Sequence, residues 1–156
     1  MSASVRGIRE AVGEAVSAVL AADLDRFEPA VQRLESQDQE RLRIVQGTIV
    51  RELLEDLHPS GLSGADAQDV LQRCVRAAAS WYPPVEPAVL VAVLMGALGA
   101  ADPEDNPPAV RGAFAVHGSL LIADLLSAQA ETGASIEQRL DHAFAEIERA
   151  ETMEMP

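Results

Sequence analysis

Between two proline-rich breakers the chain carries a segment with no ionisable side chain, Pro87-Ala-Val-Leu-Val-Ala-Val-Leu-Met-Gly-Ala-Leu-Gly-Ala-Ala101. Tyr82-Pro-Pro-Val-Glu-Pro87 precedes it and Asp102-Pro-Glu-Asp-Asn-Pro-Pro108 follows. Proline lacks the amide proton and pushes its predecessor out of the helical region, so no helix runs through either breaker. A membrane span needs about 20 apolar residues, whereas Ala88 to Ala101 supplies fourteen, with acid at both ends and no basic or aromatic anchors. The segment therefore reads as a core helix over about 87–101.

The same spacing logic organises the rest. Val5, Ile8, Val12, Ala15, Val16, Val19 and Leu20 recur at three and four, one stripe of a helix over about 3–22. A short helix is expected from Pro29, with Leu24 and Phe27 stapling its start. Ser36 and Gln39 have capping-box spacing and would open a helix reaching His58, with Leu42, Val45, Ile49, Leu53 and Leu57 inward. Ser63 and Asp66 cap another over about 65–82. A long helix over about 107–131 with Gly133 as its cap, and a last one opened by Ser135 and Gln138, complete the count. Alternating strand patterns are absent.

The expectation is an all-α, single-domain bundle of about seven helices, spanning 1–150 with a frayed acidic tail at 151–156. The two apolar helices, about 87–101 and 107–131, should be central and packed antiparallel. Ridges of small residues support this, Ala92, Gly96 and Ala100 on one helix and Ala115, Ser119, Ala123 and Ser127 on the other.

Charge narrows the function classes. Twelve Lys plus Arg against 25 Asp plus Glu give a net charge of −13, a field that repels phosphate backbones and anionic lipid. No nucleic-acid or membrane partner is expected. Cys74 is the one cysteine, which excludes an internal disulfide, and its apolar neighbours suggest an inert thiol. The N-terminus lacks a signal layout, so a cytoplasmic location is expected.

Chemistry-bearing motifs are sparse. Glu55-Asp-Leu-His58 has the Glu-x-x-His spacing of carboxylate-bridged di-metal bundles, but no second pair accompanies it. Phosphate loops, nucleophile elbows and zinc motifs are missing from the sequence, so no catalytic residues, metal or cofactor are assigned. His117 and Asp124 stand two turns apart on an otherwise apolar helix, and buried polar groups need partners. Their Cα atoms lie about 10 Å apart on a straight helix, too far for a dyad in direct contact. They are candidate ligand-binding residues on the floor of an apolar pocket, with His142 a possible addition. Trp81 and Tyr82, beside Pro83 and Pro84, are the other binding candidates.

Hydrophobic residues make up 48% of the chain, more apolar surface than a lone bundle of this size hides. The reading is a non-enzymatic helical interaction protein acting as a homodimer or on another protein, with the first helix and the Trp81–Pro87 corner as its interface. The alternative is a sensor or carrier for a small apolar ligand, floored by His117 and Asp124.

Overall fold

In the computed structural model, which describes residues 3–129 and 135–154, eight α-helices and a short 3-10 turn form one packed helical bundle, with no strand among the described residues. The helices are α1 (Ala3–Leu20), α2 (Leu24–Glu35), α3 (Gln39–Leu57), α4 (Gly64–Ala79), α5 (Pro87–Ala97), α6 (Pro108–Gly112), α7 (Phe114–Ala128) and α8 (Ile136–Glu154). The 3-10 turn spans Pro103–Asp105.

Local chemistry sets most boundaries. Ser63 and Asp66 form the expected capping box, each side chain taking the other's amide at 3.0 Å, and Ser135 and Gln138 do the same at the head of α8. The box read at Ser36 and Gln39 does not form. Asp38 caps α3 by accepting the Arg41 amide at 3.2 Å, while Ser36 closes α2 and donates to the Arg33 carbonyl. A carboxylate one residue before the helix outcompetes a hydroxyl already engaged behind it. Asp23 likewise starts α2 at Leu24, before Pro29, and leaves Pro29 inside the helix on its exposed face.

The expected 107–131 helix is two helices. Ala113 adopts φ −97° and ψ 0°, which separates α6 from α7. The apolar segment also ends early: Gly99, at φ +72°, turns the chain after Ala97, and the Ala100 amide reaches back to the Met95 carbonyl at 2.9 Å. At the other end of the chain α8 runs to Glu154, past the Glu151 point where fraying was expected. Gly133, the expected cap of the preceding helix, lies outside the described residues.

The same left-handed closure ends α1, but with Ala22 at φ 51° in the place glycine normally takes. Asp23 donates to the Ala18 carbonyl at 3.0 Å and Ala22 to Val19 at 2.9 Å. A Cβ in this region is unfavourable by about 1 kcal/mol. Ala22→Gly should therefore raise stability by about 1 kcal/mol less the flexibility glycine adds to the unfolded chain, read as a higher denaturant midpoint at unchanged slope.

The centre is α7. Phe114 through Ala123 and Leu125 are buried, against α1, α2, α3, α4 and α5. Close approach to α3 depends on Gly118, where an added Cβ would stand 2.8 Å from Gln46 Oε1. The buried Gln46 amide donates to the Ala115 carbonyl at 3.1 Å, so this crossing is polar as well as tight.

The other apolar helix, α5, packs on α7, α3 and α4 and touches the 3-10 turn, leaving its outer side open. Val89, Leu90 and Leu94 are buried, whereas Val91 is 42% exposed and Leu98, just past its end, 38%. Its small-residue ridge does not press against α7: Gly96 faces Pro103, whose Cγ would lie 3.2 Å from an added Cβ. The expected pair of apolar helices thus packs together, with Val89, Leu90 and Leu94 of α5 in the core and only its outer side open.

Candidate functional site

His117 is 2% exposed, and both ring nitrogens have backbone partners. The Glu86 amide donates to Nε2 at 3.0 Å, which places the ring proton on Nδ1, where it meets the Ala113 carbonyl at 2.9 Å. Burial lowers the imidazole's pKa, outweighing the opposing effects of the Ala113 hydrogen bond and the Glu86 charge. The neutral ring therefore joins the start of α5, which has no side-chain cap, to the break between α6 and α7. Neither nitrogen remains for a ligand.

Asp124 sits two turns on and serves a different neighbour. Its Oδ2 receives the Arg73 Nε–H at 3.0 Å, tying α7 to α4. Burial raises the carboxyl pKa, with Arg73 acting in the opposite direction. Asp124 and Trp81 line a shallow groove of about 250 Å³ with Cys74, Leu120 and Ser127; His117 does not contribute to it. Burial and the nearby Asp124 push the Cys74 thiol up to about 12, so it stays protonated and inert at neutral pH.

Trp81 and Tyr82 are half-buried and both meet the buried Phe27 edge-on, with ring centroids at 5.4 Å. This aromatic cluster closes the corner where the Pro83–Pro84 breaker leaves α4. At the opposite corner, the Glu-x-x-His motif dissolves: Glu55 is exposed beside Arg51, and His58 ends α3 with Nδ1 3.7 Å from Asp66.

A constellation with no sequence motif lies where α8 crosses α3. Glu52, 7% exposed, accepts from His142 Nδ1 at 2.8 Å through Oε1, while its Oε2 is buried without a hydrogen-bond donor. Glu146, one turn along α8, completes a group whose donor atoms all lie within 4.8 Å of one another. Burial, followed by the facing Glu146, raises the Glu52 pKa, and His142 pulls it down. Only His142–Glu146 was visible as an i, i+4 pair in sequence; Glu52 stands 90 residues away, and its inward position follows from how α8 lands. No family model matches the chain, and no curated protein or solved structure is significantly similar to it.

Proposed function

We propose that this chain is a non-enzymatic helical interaction protein that works as a homodimer, with the outer face of α5 as its interface. One observation carries the reading: α5 has a second apolar stripe pointing away from the core. Ala88, Val91, Ala92 and Leu98 lie on that outer side, each exposed or half-buried, with Met95 at its border packed on the core. Ile44 of α3, 47% exposed, adds apolar surface in the adjoining groove that it lines with Val93 and Ala97, beside Arg43 and Arg51. A helix that is apolar all round belongs in an interior, and a second copy supplies one.

Charge supports a copy of the same chain as the occupant. In a protein at −13, residues 87–101 are the longest stretch without an ionisable group, so two copies meet there with the least repulsion. The interface first expected at α1 has less to offer, because Ile8, Ala11, Val12, Ala15 and Val16 are already buried against α2 and α7. The Trp81–Pro87 corner is likewise occupied by Phe27. The small-ligand alternative rests on the groove at Asp124 and Trp81 alone, since His117 is engaged elsewhere.

Size-exclusion chromatography with light scattering tests the proposal. The chain should run as a dimer at micromolar concentration, and Val91→Asp should weaken association at least tenfold, ~1.4 kcal/mol, with helicity unchanged. Leu20→Asp, away from the patch, should leave the dimer intact. A monomer at that concentration, or a dimer indifferent to Val91→Asp, overturns it.

A further inference from the structure

The seam between α3 and α8 is a ladder of polar side-chain pairs: Arg139 with Asp56 at 2.6 Å, His142 with Glu52, and Arg51 with Glu146 at 3.6 Å. Its middle rung differs from the others. Two carboxylates converge there on one imidazole, and the buried oxygen of Glu52 has no donor. A buried acceptor without a partner is expensive, and one aimed at a second carboxylate more so.

We propose that Glu52, His142 and Glu146 form a binding site for a divalent transition-metal ion of the zinc class. A neutral imidazole with two carboxylates carries a charge of about −2, which such an ion neutralises. Neighbouring ligands on an ion with bonds of about 2.1 Å stand ~3 Å apart, close to the 2.8 Å between His142 Nδ1 and Glu52 Oε1. An imidazole among oxygen donors favours zinc, cobalt or iron over magnesium or calcium. His142 and Glu146 share one face of α8 a turn apart, and Glu52 approaches from α3, so two helices hold the ion and solvent takes its open positions. Arg51 reaches a Glu146 oxygen from an exposed side chain. From there it orients the carboxylate or swings clear as the ion enters. The site is on the α3–α8 seam and shares no residue with the α5 stripe, so the two proposals stand or fall separately.

The test uses chelator-stripped full-length protein titrated with zinc alone by calorimetry and with cobalt alone by visible absorption. One ion should bind per chain, with d–d bands in the cobalt form and no competition from an equal concentration of magnesium. Glu52→Gln and His142→Ala should each weaken zinc binding at least tenfold, while Glu55→Gln, on the same helix outside the group, should not. Glu52→Gln should also melt no lower than the parent without metal, because it removes a buried charge and keeps the shape. That separates lost ligation from lost folding, and His142→Ala, at an exposed position, gives a second variant should Glu52→Gln fail to fold. Binding below stoichiometry, or binding that His142→Ala leaves unchanged, would mean an ion-pair seam only and overturn the proposal.

Discussion

Phe27→Ala should destabilise the protein by about 3–5 kcal/mol, the range for removing a fully buried aromatic side chain. Phe27 is closed off from solvent and is the ring on which both Trp81 and Tyr82 stack edge-on. Its loss removes the transfer free energy of the ring and two aromatic contacts worth about 0.5–1.5 kcal/mol each beyond area. Neighbouring rings held by a proline turn on one side have little freedom to fill the space. At roughly 2–4 °C per kcal/mol for a chain of this length, the melting temperature should fall by about 10 °C. Because Trp81 is the only tryptophan, its emission should move to the red in the folded variant, reporting the opened corner directly. Leu24→Ala, at the exposed start of the same helix, should change stability by less than about 0.5 kcal/mol. Equal effects from the two substitutions would contradict the packing described for this corner.

His117→Ala should cost about 2–4 kcal/mol with no ligand present. The substitution leaves the Glu86 amide without its partner, takes the ring's hydrogen bond away from the Ala113 carbonyl, which keeps only the backbone amide of position 117, and opens a cavity beneath α5. It should also change the pH profile. A histidine whose folded pKa is lowered binds fewer protons folded than unfolded, so its contribution is complete above the ordinary value of about 6.5 and is lost as pH falls toward the lowered one. The parent should therefore lose stability on acidification through that window, and the variant should lose less. Glu86 is the facing charge that limits the shift. Chemical denaturation at pH 7.5 and 5.5 measures both effects, and parallel profiles would count against a buried neutral ring.

The helices were legible because their signals are local. Capping boxes at Ser63 and Ser135 and the prolines at 83, 84 and 87 act within a few residues and survive into the structure. Where two caps competed, at Ser36 and Asp38, spacing alone picked the weaker one. Composition placed α5 against α7 but did not reveal its open outer side, because an apolar run records what a helix can bury and not how many neighbours arrive to cover it. The site residues divide the same way. That His117 and Asp124 would be drawn into polar contacts followed from their apolar surroundings, but the partners, Glu86 just before α5 and Arg73 on α4, come from distant parts of the chain. Glu52 carried no signal at all, since a glutamate on a helix with several charged residues reads as solvated until α8 covers it.

The position of α7 also orders events in time. The helices that α7 packs against most extensively, α1, α2, α3, α4 and α5, all end at least ten residues before it begins. Synthesis runs from the N-terminus, so the faces of α1 and α3 that pack on α7, the latter bearing Gln46, stay wet until α7 has emerged. Pairing of α1 with α2 is short-range and needs no such delay, but closing the core means joining segments as far apart as α1 and α7. For a helical protein this is a non-local topology, which slows folding relative to simple up-down bundles. The unfinished chain is thus at its stickiest just before its most apolar parts arrive to complete it.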